Sequence, residues 1–349
     1  MWIRMNIFSL GKSAAFGTLA AAFSLGAAVG VVAERAIIGR NLRGQSPHPT
    51  EFPDLSRNSL LVEARDGINL HVEIDVNANS NAPTVVFLHG FGLNHNTFYF
   101  QRRDLQHHAT LVFYDQRGHG KSEEGTNESH TINTLADDLA QVLHSTVGSG
   151  NFILVGHSMG GMAIQAFSTR HPDLWNQVKA VVLVCTSSGG LIDLTFGLPK
   201  PLGAIVHKVT PSVTRLLSER KDLLDVSREA GSDLVLLMTR RYSFASVVPP
   251  EYTEFVAAMH AHVPIEVIGN FLKDIEKFDG SIAMDTLSKI KTIVISADCD
   301  LMIPKTHSEK IMQQLPTSEF IPFADTGHML PLEKHYEFSG ILRKLIQEM

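Results

Sequence analysis

The chain has 349 residues, 44% of them hydrophobic and 19% charged, with a formal net charge of -6. That length holds one large core, or one core with an inserted subdomain, and the balance is that of a globular protein. The acidic excess gives no electrostatic reason for a nucleic-acid partner, and two cysteines exclude a disulfide framework.

In chain order, the first feature is an uncharged run from Ala14 to Ala33, "AAFGTLAAAFSLGAAVGVVA", long enough to cross a bilayer as a helix. Arg4 and Lys12 precede it and Glu34, Arg35, Arg40 and Arg43 follow, so flanking charge does not choose an orientation. It reads as an uncleaved membrane anchor. A secreted product is the alternative, because Val31 and Ala33 have the small-residue spacing of a signal-peptidase site. Residues 1–44 therefore stand apart from the fold as anchor or signal, and the proline-bearing stretch 40–58 reads as linker.

Residues 59–76 alternate apolar and polar side chains around an Asp-Gly pair, which predicts an antiparallel hairpin. Five short apolar runs follow, at 84–90, 109–118, 151–158, 179–187 and 291–298. Such runs suit strands of a parallel sheet covered on both faces. Residues 131–146 keep Ile132, Leu135, Leu139 and Leu143 on one helical face, and a second helix in 160–175 is expected to start directly after Ser158 and to end at a proline. The architecture is α/β with a mainly parallel sheet. Between Gly189 and Phe278 the strand rhythm stops, and helical pieces at 233–244 and 251–272 predict a cap. The division is then 45–188 and 279–349 for the core and 189–278 for the cap.

Gly156-His157-Ser158-Met159-Gly160 matches G-x-S-x-G, with a strand (151–155) before it and a helix after it. That context is a nucleophile elbow, a turn so sharp that its neighbours two residues away must be small. A serine hydroxyl needs a base, and His328 follows the short run 319–323. The imidazole needs an acid, and both Asp298 and Asp300 follow the run at 291–298. Glycines in "LHGFG" (88–92) expose backbone amides, so Phe91 and Met159 are the expected oxyanion donors. His89 and Gly90 shape that loop, as Gly156 and Gly160 shape the elbow. No cofactor or metal site is expected, the His260-x-His262 pair having no Cys or acidic ligand set beside it.

Together, "HGFG" (89–92), "DQRGHGKS" (115–122), "GHSMGG" (156–161), the Asp300-to-Pro304 spacing and "GHMLPLE" (327–333) resemble the cap-bearing members of the α/β-hydrolase family. The resemblance covers residue 59 to the C-terminus and is weakest in the cap. It implies an eight-stranded, mostly parallel sheet with the cap inserted after 187 and before 291. It also implies that Asp300 is the catalytic acid, with Ala297 at the family's glycine position, and that "DQRGHGKS" is structural. A serine at the elbow separates the chain from relatives that place an aspartate there. The expected activity is hydrolysis of a small-molecule carboxylic ester, lipophilic if cap residues such as Leu236, Phe255 and Met259 line the pocket. Perhydrolysis or C–C bond hydrolysis on the same triad, and a non-catalytic ligand-binding relative, are the alternatives. Cys185 and Cys299 follow neighbouring strands and are expected as free thiols.

Overall fold

The computed structural model describes residues 52–55, 58–191 and 228–349. The Ala14–Ala33 segment and residues 192–227 of the insertion lie outside these. Eight strands form one sheet in the order β1-β2-β4-β3-β5-β6-β7-β8. Strands β1 (Asn58–Glu63) and β2 (Asn69–Asp75) make the predicted hairpin about a turn in which Gly67 takes φ 86. β2 also pairs antiparallel with β4 (Thr110–Tyr114). From there the sheet is parallel through β3 (Thr84–Leu88), β5 (Phe152–His157), β6 (Val178–Val184), β7 (Lys291–Ala297) and β8 (Glu319–Phe323).

All six residues of β5 are buried, which explains why this strand reads as a continuous apolar run. One face of the sheet packs on α2 (Ile132–Thr146) and α3 (Met159–Arg170). The other packs on α11 (His335–Gln347) through Phe338, Leu342 and Leu345. Each such fully buried side chain contributes about 1.5–3 kcal/mol. The helix α2 starts where Thr131 accepts a hydrogen bond from the Thr134 N–H at 3.1 Å. The helix after the elbow starts directly after the serine and ends at a proline, as its sequence suggests. It stops at Arg170, and Pro172–Trp175 (α4) forms a separate turn because Pro172 cannot donate to a carbonyl one turn back.

The insertion leaves the core at Gly189, which bridges Asp279, and the Gly280 N–H returns to the Ser188 carbonyl at 3.0 Å. Its described part comprises α5 (Arg228–Ser243), α6 (Pro250–Ala261) and α7 (Ile265–Lys277). The helical piece expected over 251–272 is two helices meeting at 94°. Pro264 breaks it, serving as the N-cap of α7. Phe52, in the stretch read as linker, stacks on Phe255 of α6 at 3.9 Å and meets Tyr99 of α1 (Tyr99–Leu105) edge-on at 5.0 Å. Phe52 is thus docked between cap and core. Among the described residues, no single helix is long and apolar enough to cross a membrane.

Candidate active site

Ser158 stands between β5 and α3 with φ 52 and ψ -119, a conformation that costs a non-glycine residue on the order of 1–3 kcal/mol. Its N–H donates to the Val184 carbonyl, and its own carbonyl accepts from the Thr186 hydroxyl at 2.7 Å, which holds the turn. Glycines flank it because nothing larger fits. A Cβ on Gly156 would lie 2.7 Å from the Gly160 backbone, and one on Gly161 would lie 2.7 Å from the Thr186 side chain.

His328 lies on the loop after β8, and its Nδ1 donates to Asp300 Oδ2 at 2.7 Å. That bond leaves Nε2 as the free lone pair of a neutral ring. Asp300 is fixed in turn, since its Oδ1 accepts the Met302 and Ile303 N–H groups at 2.8 Å each. Asp298 is exposed and accepts the Thr326 N–H instead. Of the two aspartates, the structure therefore brings Asp300 to the histidine. The His157 ring lies 4.7 Å from the His328 ring and donates Nε2–H to the His328 carbonyl at 2.9 Å, joining the histidine loop to the elbow.

Met159 opens α3, so its N–H is among the first-turn donors without an intrahelical acceptor. The other expected oxyanion donor, Phe91, sits on the loop after β3. Gly90 of that loop approaches the elbow so closely that a Cβ there would lie 3.1 Å from Ser158 Cβ. The loop is held by two neutral histidines. His89 Nδ1 donates to the Gly90 carbonyl at 2.8 Å while its Nε2 accepts the Gln116 N–H. His119 Nδ1 donates to the Arg117 carbonyl, and its Nε2 accepts the Gly92 N–H at 3.1 Å. Both rings are buried, and burial holds His89 down at about 4 and His119 at about 3. His89 is thus a loop organiser. Arg117 of "DQRGHGKS" pairs with Asp138 and Asp66, tying that loop to α2 and the hairpin turn.

These two histidines predict acid lability. An unfolded imidazole takes a proton near 6.5, whereas the folded His89 resists it until about 4. The stability it contributes is present in full above about pH 6.5, falls as the pH drops towards 4, and is gone below it; His119 extends the loss towards 3. His89 alone is worth on the order of 3 kcal/mol in this window. Urea denaturation at pH 7 and pH 5 checks this, and His89→Gln should flatten the dependence.

Two positioning groups escaped the sequence reading. One is His157, the variable position of the elbow motif. The other is Glu333 of α10 (Leu330–Glu333), whose carboxylate accepts the Gly327 N–H at 2.7 Å and the Ala245 and Ser246 N–H groups. It fastens the turn before His328 to the end of α5. The Met329 N–H adds a bond to the Ser243 carbonyl at 2.8 Å. Cys185 is a buried free thiol and Cys299 an exposed one.

A parallel sheet with its strained serine turn after the fifth strand, and an Asp–His pair on the loops after the seventh and eighth, is the layout of an α/β hydrolase. The model of the alpha/beta hydrolase fold matches residues 83–335. A putative carbamate hydrolase of Agrobacterium fabrum is 25% identical over 255 residues, covering 72% of this chain and 87% of that one. An esterase structure from Exiguobacterium antarcticum superposes with a TM-score of 0.67 at 19% identity, covering 83% of this chain and 100% of that one. An enol-lactonase from Burkholderia xenovorans gives 0.66 at 21% identity, covering 82% and 100%. The chain belongs to the α/β-hydrolase family, and it is a hydrolase.

Proposed function

We propose that the chain is a carboxylic-ester hydrolase for lipophilic esters, working through an acyl-enzyme on Ser158. The observation that carries this reading is the 2.7 Å bond from His328 Nδ1 to Asp300, on a loop tied through His157 to the strained serine. Nε2 of His328 takes the Ser158 proton as Oγ attacks the carbonyl carbon, and Asp300 stabilises the imidazolium. The amides of Phe91 and Met159 receive the developing oxyanion, each worth about 3 kcal/mol. His328 then protonates the departing alcohol, and water activated by the same nitrogen releases the acid. The names of the relatives point the same way: an esterase, an enol-lactonase and a carbamate hydrolase.

Lipophilicity rests on the cap. Val256 and Met259 of α6 pack in one apolar cluster with Leu93, just after the oxyanion loop, and Met329, next to His328. An acyl chain entering between α6 and these loops would meet hydrocarbon. The uncharged stretch 14–33 would hold such an enzyme at the membrane where its substrates dissolve. Hydrolysis of p-nitrophenyl esters from acetyl to palmitoyl tests the reading, with fluorophosphonate-blocked enzyme as the blank. Rates should rise with acyl length. Activity confined to the shortest esters would refute the lipophilic pocket, and labelled but inactive enzyme would refute ester hydrolysis.

A further inference from the structure

Away from the serine, two imidazoles and a carboxylate converge inside the hairpin edge of the sheet. His71 and Glu73 lie on β2, and His95 opens the short 3-10 turn that follows the oxyanion loop, three residues past Gly92. All three are buried. His71 Nε2 and His95 Nε2 each stand 3.5 Å from the same atom, Glu73 Oε1, and the three ligand atoms lie within 4.8 Å of one another. The opposite ends of the rings face Asp115. His95 Nδ1 is 2.8 Å from its Oδ1, and His71 Nδ1 is 3.3 Å from its Oδ2.

We propose that His71, Glu73 and His95 form a binding site for a divalent zinc-class cation, with a water completing the tetrahedron. A neutral imidazole has one N–H and one lone pair. Asp115 takes the N–H of His95, so its Nε2 lone pair is aimed at an anionic oxygen. In the neutral ring that lone pair and the Glu73 oxygen repel unless a proton or a metal cation lies between them. The separations agree with coordination better than with hydrogen bonding, which brings N and O to about 2.7–3.2 Å. Zinc bonds of about 2.1 Å to nitrogen and oxygen place tetrahedral ligands about 3.4 Å apart. Two histidines and a glutamate are also a donor set that zinc accepts.

The surroundings are built as an outer shell. Asp115 is fixed by backbone donors, its Oδ1 accepting the His95 N–H and its Oδ2 the Lys121 N–H, each at 2.9 Å. A carboxylate behind a ligating imidazole sets the tautomer and raises ligand basicity. Glu73 is oriented by Arg102, which donates to its other oxygen and makes a two-pronged pair with Asp75. Lys121 Nζ also lies 3.8 Å from Glu73 Oε1, on a side chain that is 62% exposed. A bound ion would staple the oxyanion loop to β2. The spacing hid this site, since His71-x-Glu73 and His95 are joined by topology rather than by one short motif.

The test uses the full chain without an affinity tag, stripped with a chelator and dialysed. Zinc titration by calorimetry should give about one ion per chain, and cobalt should give the intense visible bands of a tetrahedral site. Glu73→Gln and His95→Gln should each weaken zinc binding by about 100-fold or more, and zinc should no longer raise their thermal midpoints. His262→Ala, in the cap, should bind as the native chain does. Lys121→Met keeps the buried residues and should bind zinc more tightly. A native chain that takes up neither zinc nor cobalt would overturn the proposal. So would binding that survives Glu73→Gln and His95→Gln but disappears in His262→Ala, or binding that weakens in Lys121→Met. Should Glu73→Gln not fold, the cobalt spectrum of the native chain and the Lys121→Met titration decide.

Discussion

Ser158→Ala is expected to lower kcat for p-nitrophenyl ester hydrolysis by about a millionfold, and Asp300→Asn by about 10,000-fold, with KM little changed in both. In the proposed mechanism the alanine removes the attacking atom, and the residual rate is what the amides and binding supply. The asparagine keeps the shape but offers an N–H or a neutral carbonyl where Oδ2 now accepts from His328 at 2.7 Å. Either the ring turns to the wrong tautomer or the imidazolium loses its counter-charge. Neither change should unfold the protein. The Ser158 side chain makes no capping bond to α3, and the other oxygen of Asp300, which holds Met302 and Ile303, has an equivalent in asparagine. Asp298→Asn is the discriminating control and should stay within about twofold, because its exposed carboxylate serves the Thr326 N–H. Equal losses at 298 and 300 would refute the assignment of the acid.

What the sequence made legible was local chemistry with a distinctive spacing. The buried strands announce themselves because parallel pairing leaves them no polar face. The elbow announces itself because its glycines have no substitutes. The choice between Asp298 and Asp300 was harder. Both follow β7, and the spacing of Asp300 to Pro304 favours Asp300 by resemblance, while the structure adds the turn closed by the Ala297 carbonyl and the Asp300 N–H. The groups that hold the site from outside were not legible at all. His157 occupies the free position of its motif, and its partner is a backbone carbonyl 171 residues away. Glu333 reads as one more acid on a helix, yet it bonds three amides from two separate segments. The bend at Pro264 was visible as a proline, but the apolar residues on either side continue at helical spacing. Phe52 was hidden by its proline-rich neighbours, and its aromatic partners come from α1 and α6.

Gly160→Ala is expected to cost more than 3 kcal/mol of stability, beyond the usual range for overpacking, and to abolish activity in whatever fraction folds. The added Cβ would lie 2.2 Å from the Leu88 carbonyl oxygen, 2.6 Å from its carbon and 2.8 Å from the His89 oxygen. All three are backbone atoms, so no rotamer change can relieve the clash. The first turn of α3 and the end of β3 would have to separate. These are the two segments that carry Met159 and Phe91, whose amides must face one oxygen in the proposed mechanism. The position differs in kind from Gly148, which follows the end of α2. A Cβ there meets nothing within 4 Å, although φ 62 makes alanine mildly strained. Gly148→Ala should therefore cost about 1 kcal/mol and leave kcat unchanged, since the strain is local and far from the catalytic loops. Denaturant melts and fluorophosphonate labelling of the two variants separate these outcomes. Comparable labelling of both would mean that the β3–α3 contact can open without disturbing the oxyanion donors, and that the elbow's glycines serve folding alone.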